Sequence, residues 1–158
     1  MTDRKPPHIS VLLREVIDIL APKDGGVYVD GTFGAGGYSR AILEAADCRV
    51  YGIDRDPFAI DMGRKMAGEF AGRLMMVEGC YADMEALLVE QDIHAVDGIA
   101  LDIGVSSMQI DEAERGFSFM REGPLDMRMS GTGRTAAEIV NEESEAELAR
   151  IIFVYGEE

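Results

Sequence analysis

Positive charge is scarce in this 158-residue chain. It has 15 lysines and arginines against 30 aspartates and glutamates, a net charge of −15. That argues against a broad nucleic-acid-binding face, because phosphate contacts need Lys and Arg; a local basic patch stays open. Cysteine and histidine are almost missing. Cys48 and Cys80 lie far apart without metal-ligand spacing, and His8 and His94 are isolated. A disulfide framework and a metal site are therefore not expected, and the two cysteines read as small buried apolar residues. No run of eighteen apolar residues exists, so no membrane span is read. The start, MTDRKPPHIS, has no apolar core behind its charges and does not read as a secretory signal. A cytoplasmic location is the default expectation.

What remains is ordinary for one globular domain with a real core: 47% hydrophobic and 28% charged residues. No internal repeat or low-complexity linker stands out. Ser10 is placed to cap a helix carrying Leu12, Leu13, Val16, Ile17 and Leu20 at helical spacing, ended by Pro22 and Gly25-Gly26. Strands are predicted at 27–30, 49–54, 73–79 and 96–105. Helices are predicted at 37–46, from Pro57 behind an Asp56 cap to about Gly68, and at 83–91. Strand and helix thus alternate, which predicts an α/β fold: a doubly wound, mostly parallel sheet with helices on both faces. A stretch of unclear period follows, at 106–133, and then two helices near Thr135–Asn141 and Ser144–Tyr155. The acid-rich tail reads as a solvated helix face. Strand four is apolar on both faces, yet four strands leave one of its sides unpaired. Further chain or a partner would have to cover it, and a homodimer is one form such a partner can take.

In sheets of this kind ligands sit outside the carboxyl ends of the strands. Polar or glycine residues cluster there: 30–37, Asp54, 79–83 and 102–109. Gly34, Gly36 and Gly37 in VDGTFGAGGYSRAIL let the backbone approach a ligand and bare N–H groups at a helix start. The spacing is an imperfect dinucleotide loop, with Ser39 where the last glycine would stand. A tight turn without a ligand is the competing reading. Asp54, closing strand two about twenty residues on, is placed to accept ribose hydroxyls; Asp56 already fills the capping role, which leaves Asp54 free. Tyr81 can lie beside an adenine ring or simply pack. An adenosine-like ligand leaves two candidates, a nicotinamide dinucleotide and S-adenosylmethionine. The acidic strand ends Asp30, Asp54 and Asp102 lean toward the second, since carboxylates favour a cationic sulfonium and oppose a pyrophosphate.

The segments HISVLLREVIDIL, VDGTFGAGGYSRAIL, GIDRDPFAI, VDGIALDIGVSSMQIDEAERGFSFMREGPLDMRM and YGEE together resemble the family of bacterial ribosomal RNA small subunit methyltransferase H, also called MraW. The resemblance runs from His8 to Glu158. It implies a class I S-adenosylmethionine-dependent methyltransferase, Rossmann-like, with a helical domain inserted after strand four. It implies methylation of the exocyclic N4 amine of a cytidine in small-subunit ribosomal RNA. On this reading 1–105 is the cofactor-binding half, 106–133 an active-site loop and 134–158 the start of the inserted domain. The implied cofactor contacts are Gly34, Gly36, Gly37, Tyr38, Asp54, Tyr81, Asp102 and Gln109, with Asp102 also catalytic. Tyr38 stands where the family usually has histidine, keeping the backbone N–H; Met108 stands where proline is common. The family's chains run to roughly twice this length, so this chain alone is expected to be a poor enzyme.

The target base must leave its stack. Phe117 and Phe119 can stack on it, or pack beneath the loop. Arg115, Arg121, Arg128 and Arg134 are candidates for phosphate contacts, or for a solvated, ion-paired surface. Ser106 and Ser107 are secondary candidates beside Asp102, with turn formation as the alternative. The rival readings are a nicotinamide-dependent oxidoreductase and a non-catalytic cofactor- or RNA-binding fragment.

Overall fold

A computed structural model describes residues 10–156; His8 and the two final glutamates lie outside them. The described residues fall into two compact units that divide after Gly104. Among the described residues no helix is long and apolar enough to cross a membrane.

The first unit holds α1 (Leu13–Leu20), β1 (Val27–Asp30), α2 (Gly37–Ala45), β2 (Arg49–Asp54), α3 (Pro57–Ala67), β3 (Leu74–Glu78), a 3-10 turn (Tyr81–Asp83) leading into α4 (Met84–Val89), and β4 (Gly98–Ala100). The four strands are parallel, in the order β3-β2-β1-β4. Register aligns Asp30 with Gly52 and Ala100, and Asp54 with Glu78, so all four carboxyl ends open on one edge. The strands are apolar on both faces, as a covered parallel sheet requires, and give two cores, one on each face. Tyr28, Val50, Ile42, Leu43 and Phe70 pack on one side; Val29, Tyr51, Ile53, Val77 and Leu88 pack on the other. The doubly wound α/β prediction is met in this unit.

Two boundaries differ from the sequence reading. β4 spans three residues rather than ten, because only Gly98 to Ala100 find ladder partners, on β1. Past Ala100 the apolar run goes unpaired, and Ile99, Leu101 and Ile103 are exposed. Ser10 does not cap α1. The helix starts at Leu13, and Leu12 before it takes a left-handed φ of 50° with no side-chain cap. Asp56 caps α3 as expected: its carboxylate accepts the Phe58 N–H at 3.0 Å, with Pro57 in the first helical position.

The second unit holds α5 (Ser107–Asp111), a 3-10 turn (Ala113–Arg115), α6 (Ala136–Glu142) and α7 (Glu145–Gly156). The stretch 106–133 therefore contains one short helix that its periodicity did not reveal. Thr135 caps α6 in a reciprocal box with Glu138, and the Ser144 hydroxyl accepts the Glu147 N–H at 3.2 Å.

Candidate active site

The glycine-rich segment leaves β1 at Asp30. That carboxylate is fully buried, and its Oδ2 accepts both the N–H of Ser39 at 3.1 Å and its hydroxyl at 2.7 Å. Burial lifts its pKa to about 6 against the pull of the Ser39 hydrogen bonds. Asp30 therefore anchors the first turn of α2 from below. It is not a ligand-facing carboxylate, as its place among the acidic strand ends had suggested, because the sheet and α2 cover it completely.

Above it the loop turns through Gly34 (φ +52°) and Gly36 (φ +77°). A Cβ on Gly36 would stand 2.5 Å from the Phe33 ring and 2.6 Å from Met66. The turn thus needs glycine on internal grounds, whatever it binds. It delivers Gly37 and Tyr38 into the first turn of α2, where their N–H groups have no intrahelical acceptor.

Asp54 ends β2, half-buried. Its Oδ2 accepts the Gly34 N–H at 2.8 Å and its Oδ1 accepts the Asp56 N–H at 2.9 Å. The expectation that it stands free is corrected: a carboxylate beside a tight turn collects the turn's own amides. Each of its oxygens keeps a second lone pair. Tyr81, just past β3, is exposed, and it borders Gly31 together with Leu101 and Met84.

Asp102 lies two residues beyond β4 and is exposed. Its N–H donates to Thr32 Oγ1 at 2.7 Å, and its Oδ2 accepts from the Tyr38 hydroxyl at 3.3 Å. The same hydroxyl donates to the Val11 carbonyl at 2.5 Å. Burial first, and the negative charge of Asp102 second, push the Tyr38 phenol above its usual range. One edge of the first unit thus carries Gly34, Gly36, Gly37, Tyr38, Asp54, Tyr81 and Asp102. Sequence reading missed Thr32 and the Tyr38 side chain; a hydroxyl seventy residues from its partner leaves no mark in spacing.

Gln109 belongs to the second unit, where it closes a capping box with Ser106 at the start of α5. Ser106 is thus a cap, as the turn-forming alternative held. The four arginines are engaged with acceptors of their own unit. Arg115 donates to the Arg128 and Met129 carbonyls, and Arg121 to the Asp111 carbonyl. Arg128 forks onto Asp126, holding that carboxyl at about 2, and Arg134 pairs with Glu142 and Glu143. The ion-paired alternative therefore describes Arg128 and Arg134, while Arg115 and Arg121 donate to backbone carbonyls. The Arg115 guanidinium lies 5.8 Å from the Phe117 ring centroid, while Phe119 is 98% exposed. Both cysteines are free, and among the described residues no group of three His, Cys, Asp or Glu side chains could hold a metal ion.

A parallel β3-β2-β1-β4 sheet with a glycine turn after β1 defines a Rossmann-like fold of the class I methyltransferase type. The C-terminal domain of precorrin-6Y C5,15-methyltransferase from Rhodobacter capsulatus shares this fold, with a TM-score of 0.50 at 20% identity over 67% of this chain and 56% of that one. The chain matches the MraW methylase family model over residues 5–158 and belongs to that family. It is 65% identical over 152 residues to ribosomal RNA small subunit methyltransferase H of Parvibaculum lavamentivorans, covering 96% of this chain and 45% of that protein. To the protein of the same name from Paramagnetospirillum magneticum it is 62% identical, covering 96% and 48%. The chain spans about half the length of these curated relatives.

Proposed function

We propose that this chain carries the cofactor-binding half of an S-adenosylmethionine-dependent methyltransferase acting on the exocyclic N4 amine of a cytidine in small-subunit ribosomal RNA, in the cytoplasm. The observation that carries the reading is the chemistry of the strand-end edge. Asp54 and Asp102 offer only acceptors there, and the first turn of α2 offers only donors. Ribose hydroxyls and a cationic sulfonium suit the carboxylates, whereas a pyrophosphate would meet two negative charges. Membership of the MraW methylase family adds to this and leaves the nicotinamide alternative without support.

When bound, S-adenosylmethionine supplies an electrophilic methyl. The protein's part is to align an acceptor with it and exclude water. Asp54 accepts from the ribose. The Gly37 and Tyr38 N–H groups donate at the start of α2. Tyr81, exposed beside Gly31, would hold the adenine. A cytosine amine is a poor nucleophile because its lone pair is conjugated with the ring. The Asp102 carboxylate accepts its N–H, which turns the lone pair out of conjugation, and then takes the proton that the amine loses on its way to solvent. The catalytic role is assigned to Asp102 because, among the described residues, no other carboxylate at this edge is exposed and lies beyond β4.

The reading is tested in cells of the source organism that lack the full-length gene. Nucleoside mass spectrometry of their small-subunit RNA is expected to show loss of N4-methylated cytidine, restored by the full-length gene and not by its Asp102→Ala version. Unaltered N4-methylation in the deletion strain would overturn it.

A further inference from the structure

We infer that Tyr38 is a positioning residue for Asp102, and that with Thr32 it makes the glycine-rich segment a two-point clamp on that carboxylate. The inference rests on the reading of Asp102 given above. Asp102 lies outside the β4 ladder, so the sheet does not fix it. Two side chains from either side of the glycine turn fix it instead. Thr32 Oγ1 holds its backbone N–H at 2.7 Å, and the Tyr38 hydroxyl reaches its Oδ2 at 3.3 Å. Backbone and carboxylate are thus held from one loop, the same loop that presents N–H groups at the start of α2.

Tyr38 is 93% buried, so its ring is a support behind the site rather than a wall of it. Its single proton is shared between two acceptors, the Val11 carbonyl at 2.5 Å and the Asp102 carboxylate. The Val11 contact is the shorter of the two, and the Asp102 carboxylate takes the longer branch at 3.3 Å. Burial and the charge of Asp102 both keep the phenol protonated. Asp102 therefore faces a donor on Oδ2, which leaves Oδ1 to accept from an incoming amine. The Val11 contact fastens the segment before α1 to the same point. Loss of the hydroxyl leaves the glycine turn intact and lets the carboxylate rotate. Its signature is therefore a slower transfer step rather than weaker cofactor binding.

The test uses the full-length protein. Tyr38→Phe keeps the ring and is expected to slow single-turnover methyl transfer about tenfold while the S-adenosylmethionine Kd stays within about twofold. In an Asp102→Asn background, already slow, Tyr38→Phe should have no further effect, because the group it acts through is gone. Thr32→Val should slow transfer in the same background-dependent way. Independently of activity, carbon-13 NMR of ring-labelled tyrosine should find the Tyr38 phenol titrating at lower pH in Asp102→Asn than in the unaltered protein. A wild-type rate for Tyr38→Phe, an equal loss in both backgrounds, or an unmoved phenol titration would overturn the inference. A near-normal rate for Asp102→Asn would instead overturn the reading of Asp102 itself.

Discussion

The Asp54 carboxylate accepts the Gly34 N–H at 2.8 Å, joining the end of β2 to the glycine turn that follows β1. One side chain therefore shapes the loop and faces the ligand edge. Asp54→Ala is expected to weaken S-adenosylmethionine binding by at least about tenfold, the scale of a hydrogen bond to a charged acceptor. Isothermal calorimetry reads this directly, and an unchanged affinity would remove Asp54 from the site.

Gly36 takes a φ of +77° with Phe33 and Met66 against the place a Cβ would occupy. Gly36→Ala combines backbone strain with overpacking. Together they are expected to cost at least about 2 kcal/mol of stability. Urea unfolding would show a lowered midpoint; a midpoint equal to that of the unaltered protein would contradict the geometry.

Asp56 caps α3 through the Phe58 N–H. Asp56→Ala should lose about 1 kcal/mol. In a domain of this size that lowers the Tm by about 4 °C in a thermal melt. No change in Tm would mean that the cap contributes nothing.

Asp30 titrates at about 6 when folded, raised from 3.8 by burial. Between those values the folded state holds a proton that the unfolded state has released, so stability falls as pH rises through this window and the penalty is full above pH 6. The contribution of Asp30 is thus most favourable below about pH 4. Asp30→Asn carries no such charge, so its unfolding free energy should depend less on pH between 4 and 7. Urea melts at several pH values compare the two proteins. Parallel pH profiles would contradict the buried charge.

Much of the fold was legible because its signals are local. Short apolar runs marked β1 to β3, and Asp56-Pro57 marked a helix start within two residues of sequence. The misreadings share one cause, which is that partners distant in sequence decided them. β4 looked ten residues long from its apolarity, yet a ladder ends where the neighbouring strand ends, here β1 at Asp30. Ser10 looked like a cap, yet it lies against the start of α2, so close that a Cβ on Gly37 would stand 2.0 Å from its hydroxyl.

The candidate site divides in the same way. The glycine turn and the carboxylates at the ends of β2 and β4 could be named from the chain, because a parallel sheet sends every strand end to one edge. Their internal hydrogen bonds could not. Asp54 proved tied to Gly34, Asp30 proved buried under α2, and Tyr38, whose side chain had no assigned part, proved to reach Asp102. Arg121, Arg128 and Arg134, which looked ready for phosphate, found carboxylates and carbonyls two to ten residues away.

The most direct measurement is transfer of a radiolabelled methyl group from S-adenosylmethionine to small-subunit ribosomal RNA by the full-length protein. The product nucleosides are separated after digestion, and the 158-residue chain and the Asp102→Ala variant are run beside it. The expected result is label in N4-methylcytidine from the full-length protein, little from the 158-residue chain and none from Asp102→Ala. Label in a different nucleoside, no label at all, or full activity in Asp102→Ala would contradict the proposed function.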